Sequence, residues 1–303
     1  MIAVFGALLP LFVLIALGYA GRRMGWPGPR AWRAVERLTY YVLFPALLFT
    51  SLAGASLAGG GAVAVALAVA TVATAATSLL VGKPLALSGP TFSSVIQGAI
   101  RPNTYVGVGA ALALWGNQGV ALAAVGLAVV IPIVNVIAVM GLLRYAPNAE
   151  TARQPSLIAS LARNPLILSC LAGLAANAAD LHLPAWLAES LKVMGQASLP
   201  LGLLAVGAAL ELSALRSRGQ AVAAACGLKL IVSPALAAAL LVLFGVHGTA
   251  FAVAVVYMGV PTSASAYVLA AEMGGDRSAM ATIISAATIL SAITLPAIVL
   301  TMR

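Results

Sequence analysis

Long apolar runs dominate this chain. Ten stretches of about 20 residues or more, near 2–20, 34–53, 60–82, 90–116, 118–143, 156–179, 184–210, 219–243, 248–273 and 277–301, are separated by short gaps rich in Gly, Pro and Arg. A hydrocarbon core about 30 Å thick takes roughly 20 residues of α-helix to cross, and backbone in lipid must satisfy its own hydrogen bonds, which a helix does. The runs therefore predict an all-α polytopic membrane protein of ten transmembrane helices in a lipid bilayer. Charge agrees with this reading: 8% of the residues are charged, against about a quarter in a soluble domain. So little charge cannot cover a water-facing surface.

The basic residues divide by side. Arg22, Arg23, Arg30, Arg33, Arg37, Lys83, Arg144, Arg153, Arg163, Arg216, Arg218 and Arg277 fall on one side of the ladder of ten helices, and the other side has little beyond Lys192 and Arg303. The positive-inside rule makes the first group cytoplasmic and puts both termini outside. The net charge of +9 thus expresses topology and does not call for a nucleic-acid partner. The first run has arginines after it rather than before it, opposite to a cleavable signal peptide, so it is expected to stay as a helix. Cys170 and Cys226 lie inside apolar runs, outside any CxxC or Cys/His cluster, and read as packing residues. His182 and His247 are too far apart to suggest a metal site, and no cofactor is expected.

Prolines expose an internal repeat, because few residues are so rarely tolerated inside helices. Pro10, Pro29 and Pro45 recur as Pro165, Pro184 and Pro200, each at an offset of 155, and Pro102 recurs as Pro261 at 159. Gly116-Asn117 then aligns on Gly275-Asp276 without a gap. Two five-helix repeats follow, residues 1–143 and 156–303, joined by a polar cytoplasmic linker at 144–155. Five is odd, so the second copy enters the membrane from the opposite side. That inverted plan is common among secondary transporters.

Pro102 and Pro261 lie about ten residues, or roughly 15 Å, into helices four and nine. Each should split its helix near the midplane, with the proline near the first position of the second half. The following residues are small and polar: Asn103 and Thr104 in one copy, Thr262, Ser263 and Ser265 in the other. Two half-helix N-termini would meet there and favour an anion such as a carboxylate. The plainer alternative is a pair of kinks patched by Ser and Thr. Pro45 and Pro200, with bulkier flanks, suit a cavity wall better than direct binding.

Arg101 and Lys229 are the cations deepest in apolar sequence, and a charge at a helix centre costs about 2.5 to 3.5 kcal/mol on the lenient insertion scale. Arg101 either pairs with a bound anion or stabilises the carbonyl end of the first half-helix. Lys229 either neutralises a half-helix C-terminus or titrates during transport. Asn135 is the amide buried in the fifth run and a candidate cavity residue.

The stretches LTYYVLFPALLFTSLA (38–53), RPNTYVGVGAALALWGNQG (101–119), LKLIVSPALA (228–237) and VVYMGVPTSASAYVLAAEMGGD (255–276) give the chain its resemblance to bacterial members of the auxin efflux carrier family, over nearly its whole length. The resemblance implies helices 4 and 9 crossing at unwound centres. It also implies a scaffold of helices 1, 2, 6 and 7, a moving transport bundle of helices 3–5 and 8–10, and a homodimer in the bacterial inner (plasma) membrane. It makes Pro102, Asn103 and Pro261 the crossover residues and implies organic-anion substrates, malate- or malonate-like or auxin-like.

The expected activity is secondary transport of small organic anions by elevator-type alternating access, with H+ or Na+ as a possible coupling ion. A cation-coupled symporter or antiporter of bile-acid-transporter type is the nearest rival, but it calls for Asp or Glu at the crossover. The seven acids of this chain lie near loops or helix ends. A non-transporting substrate sensor is the third reading, since fold alone does not establish activity. An enzyme would need a nucleophile with its base, or an acidic metal motif, and the sequence offers neither.

Overall fold

Prolines and glycines, more than the ends of the apolar runs, decide where the helices of this chain stop, turn or widen. The computed structural model describes residues 2–55, 60–82, 84–146, 163–212 and 219–302, and every regular element among them is helical. Lys83, Arg153, Arg216, Arg218, Arg303 and most of the predicted linker lie outside the described residues.

Helix α1 spans Ile2–Arg23. It buries Val4, Leu8, Leu11 and Ile15 and exposes Phe5, Leu9, Val13 and Leu17. A helix apolar on its outer face as well as its inner one suits lipid, not water. Helix α2, Pro29–Leu38, starts with proline at its first position, where the missing N–H has no partner to lose. It runs through a π-turn at Thr39–Leu43 into α3, Phe44–Ala53. Helix α4 covers Gly60–Gly82 and α5 covers Gly89–Ile100.

Helix α6, Thr104–Tyr145, has 42 residues and would run about 63 Å if straight, twice the thickness of a bilayer core. It does not run straight: Gly116 has φ 61 and ψ −150, a conformation open to glycine and strained for any other residue. The run is therefore two arms, 104–115 and 117–145.

Helix α7 is Pro165–Ala178, the first residues of the predicted sixth run, 156–162, lying outside the described residues, and α8 is Ala185–Ala208. Helix α9, Gly219–Gly227, passes through a second π-turn, Leu228–Val232, into α10, Ser233–Leu243. Each π-turn stands directly before a helix with proline at its second position, Pro45 or Pro234. The widened turn absorbs the i−4 bond that proline cannot make. Helices α11, Gly248–Gly259, and α12, Ser265–Glu272, follow. The last, α13, covers Arg277–Thr301. Asp276 caps it by accepting from the Ala279 N–H at 3.0 Å and also accepts the Thr91 hydroxyl at 2.8 Å.

Among the described residues, six stretches of continuous helix are long and apolar enough to cross a membrane. The number falls below the ten predicted runs for local reasons. The fourth and ninth runs are each broken at a proline, α6 joins two runs across Gly116, the described part of the sixth run is the short α7, and the second run opens on the charged α2 with Arg30, Arg33, Glu36 and Arg37.

Helices α1, α3, α7 and α8 pack on one another through glycines. A Cβ on Gly18 would collide with the Leu204 carbonyl, and one on Gly207 with the Ile15 carbonyl, so α1 and α8 touch backbone to backbone. Gly173 and Gly195 let α7 and α8 approach the backbone of α3 at Phe49 and Leu47 in the same way. The largest apolar cluster gathers around the long α6 and includes Leu67, Ile96, Leu127, Leu241, Val255 and Ile283.

Candidate functional site: the junction of two broken helices

Proline lacks an N–H, so Pro102 deprives the Gly98 carbonyl of its helical partner and Pro261 does the same to Tyr257. Arg101 and Val260, which precede the prolines, are extended (φ −89, ψ 102 and φ −68, ψ 157), as residues before proline prefer. The two extended segments then find each other. Asn103 N–H donates to the Pro261 carbonyl at 2.8 Å, and Ser263 N–H donates to the Arg101 carbonyl at 3.1 Å. They form an isolated antiparallel bridge between Pro102 and Thr262.

The sequence leads one to expect each proline near the start of the following half-helix. Instead α6 begins at Thr104 and α12 at Ser265, because the residues around each proline are drawn out of helix to hydrogen-bond across the junction. The bridge also pairs Pro102 with the residue after Pro261, not with Pro261 itself.

Both prolines are buried. The Thr262 side chain is fully buried, and its hydroxyl donates to the orphaned Gly98 carbonyl at 2.7 Å. Asn103, 2% exposed, caps α6 by accepting the Val106 N–H at 3.3 Å. Thr104 and Ser263 are half-buried and Ser265 is exposed. The hydroxyls of Ser263 and Ser265 stand 3.0 Å apart. The fold therefore brings the predicted polar residues of both breaks together and commits two of them, Thr262 and Asn103, to backbone groups.

Arg101 is 9% exposed. Its guanidinium donates to the Asn135 side-chain oxygen and, at 3.4 Å, to the Ser265 carbonyl. Asn135, 34 residues further along the chain, thus belongs to the same cluster. The guanidinium meets neutral oxygens. Among the described residues the ion pair is Lys192–Glu189, at 3.3 Å on the exposed face of α8. At the carbonyl end of α5 the Gly98 oxygen is served by Thr262 and the Gln97 oxygen by the Arg101 backbone N–H, not by the guanidinium.

Lys229 differs. It is fully buried, and its ammonium donates to the Met258 carbonyl at 2.8 Å, in the last turn of α11, while the Ser233 hydroxyl donates to the same oxygen at 3.3 Å.

Several polar groups at the junction carry no sequence signal. Gln97, one turn before Arg101, is fully buried, and neither its amide nitrogen nor its oxygen has a protein partner. The buried hydroxyls of Tyr105 and Tyr257 are likewise unpartnered. Tyr105 packs its ring 4.8 Å from that of Phe44 and fills the space left by Gly202 of α8. It is one of the residues, with Val106 and Val260, at which the junction meets the glycine-packed helices.

A separate open cleft of about 1080 Å³ is lined by Leu47, Asn117, Asn177, Asp180, His182 and Gln196, among others. Pro45 and Pro200 do not line it, although Leu47 and Gln196 lie two and four residues from them. No residue of either break reaches it.

The sequence pattern described as membrane transport protein matches residues 3–299. The chain is also similar to an uncharacterized transporter of Methanothermobacter thermautotrophicus, 25% identical over 296 residues that cover 95% of each chain.

Proposed function

The chain belongs to the membrane transport protein family, that of the auxin efflux carriers, and from this premise we propose that it is a secondary transporter of small organic anions, with the junction of α5, α6, α11 and α12 as its binding site. The site consists of Arg101, Asn103, Thr104, Asn135, Ser263 and Ser265, with Pro102, Pro261 and Thr262 holding the backbone open. The reading includes ten crossings as two inverted five-helix repeats. Helices α1 to α3, α7 and α8 form the static scaffold, and the remainder moves across the membrane as an elevator. Both termini lie outside the inner membrane, and two copies associate through the scaffold.

Arg101 carries this reading. Guanidinium has five N–H donors in a planar fork, and the two contacts described for it are to neutral oxygens. A cation in so buried a place is stabilised by an anion. At an effective dielectric near 20, a carboxylate oxygen about 4 Å away is attracted by about 4 kcal/mol, enough to offset much of the burial cost of either ion. Ser263 and Ser265, half-buried and exposed in the same cluster, add hydroxyl donors beside it.

Uptake of radiolabelled malate, malonate and indole-3-acetate into proteoliposomes containing only this protein tests the reading, with Asn135→Asp as the deciding variant. Asn135→Asp places a permanent carboxylate on the guanidinium. Folded protein with uptake reduced at least tenfold is the expected result. Wild-type uptake by Asn135→Asp, or wild-type protein that transports no carboxylate, defeats the proposal. Arg101→Ala should cost a dicarboxylate more than a monocarboxylate.

A further inference from the structure

The two deep cations differ in what they hold. The Arg101 guanidinium leaves the Gly98 carbonyl of its own half-helix to Thr262, whereas Lys229 is spent on the carbonyl end of α11. A helix C-terminus carries about half a negative charge on its last carbonyls, and that of α11 is more exposed to this effect than most. Val260 is extended, Pro261 offers no N–H, and the Ser263 N–H is turned across the junction to Arg101. Among the described residues, no amide that would continue the helix donates to the Met258 carbonyl. Its partners are two side chains from the preceding crossing, Lys229 at 2.8 Å and Ser233 at 3.3 Å.

Lys229 lies in the π-turn Leu228–Val232 and Ser233 directly after it, four residues apart and so on one face of the helix, and both reach the same carbonyl. The side chain is fully buried, so the ammonium stands away from bulk solvent. The Met258 carbonyl, with the Ser233 hydroxyl beside it, is an oxygen site at a half-helix C-terminus, and such helix ends with unwound carbonyls are where secondary transporters hold a monovalent cation.

We propose that Lys229 is a positioning residue that serves as a built-in counter-cation for the broken helix, standing where a side chain without charge would leave a site for a diffusible monovalent cation. The α11–α12 break is then assembled without Na+ or K+, and the protein works without either ion at this position. The inference does not depend on what the junction carries. It concerns the helix end behind the junction, and its test reads stability rather than uptake, so it stands or falls separately from anion transport.

The experiment measures the thermal midpoint of the full-length protein in lipid nanodiscs, in NaCl, KCl and choline chloride at equal ionic strength. Wild-type protein should show the same midpoint in all three. Lys229→Ala, which removes the charge and opens space, should melt roughly 5 °C or more lower in choline chloride, as expected for loss of a charge-assisted bond. It should regain a saturable part of that loss with Na+, K+ or methylammonium. Lys229→Met, which fills the space without charge, should melt low and respond to none of them. Its amide exchange should rise in peptides spanning 256–266. A saturable rise of the wild-type midpoint with Na+ or K+ overturns the proposal without recourse to any variant. A Lys229→Ala protein as stable in choline as the wild type, or a Lys229→Met protein with wild-type exchange at 256–266, overturns it as well.

Discussion

Replacing Thr262 by valine isolates the one hydroxyl that ties the second break to the first. Valine matches threonine in shape, so the fully buried site loses no volume and gains no cavity. It loses the 2.7 Å donor to the Gly98 carbonyl, an oxygen whose helical partner Pro102 has already removed. A buried acceptor left unsatisfied costs about 1–3 kcal/mol. Each kcal/mol moves the midpoint of a domain of 150–250 residues by about 2–4 °C, and this chain is longer, at 303 residues. The lower factor gives a fall of about 2–6 °C. The assay is thiol-reactive-dye melting of purified protein at a fixed scan rate, because irreversible unfolding makes the midpoint an operational quantity. Thr262→Ser, which keeps the hydroxyl, should recover most of the loss. A Thr262→Val protein that melts with the wild type would show that the Gly98 carbonyl does not depend on this bond, and the account of how the two breaks hold each other would fail.

Gly207→Ala should lower the yield of folded protein, because its Cβ would collide with the Ile15 carbonyl where α1 and α8 touch; detergent-solubilised monodisperse protein at wild-type levels would contradict this. Asn103→Ala removes the cap on α6 and should cost about 0.5–2 kcal/mol of stability, read as a lower melting midpoint, together with weaker carboxylate binding in a filter-binding assay. Single cysteines introduced at His182 and at Arg277 should be labelled by impermeant maleimide from opposite sides of the membrane, the first from outside; labelling of both from one side contradicts the proposed topology.

The breaks in the helices were legible because proline acts through its own backbone. Pro102 and Pro261 each end a helix in sequence and in space for the same reason, the missing N–H. The depth of Arg101 and Lys229 was legible too, as charge inside apolar runs. Their partners were not. Asn135 lies 34 residues from Arg101, and Met258 lies 29 from Lys229; such contacts are made by packing, and no local period records them. The π-turns have no signature beyond the proline that follows each one. Thr262 looks like a ligand contact because it is polar and follows a break, but its hydroxyl faces the Gly98 carbonyl. The same polarity that suits a ligand also suits an orphaned backbone oxygen, and sequence does not distinguish them. Gln97 and Tyr105, buried with unpartnered polar atoms, read along the chain as ordinary members of apolar runs.

The division of work between the two cations follows from the bridge. Two helices broken at proline leave two sets of orphaned carbonyls in a place without water, and each set needs donors. The antiparallel bridge supplies backbone donors to Pro261 and Arg101, Thr262 supplies one to Gly98, and Lys229 with Ser233 supplies Met258. Hydroxyl and ammonium groups thus do the structural capping. The guanidinium of Arg101 is drawn into none of it at the end of its own helix, and it is held in place from the side by Asn135. A charge that the fold orients but does not neutralise differs from one that the fold consumes. That difference underlies the opposite roles we propose for two residues alike in sequence as deep cations: Lys229 as the one that keeps the junction assembled, Arg101 as the one that the junction offers to a ligand.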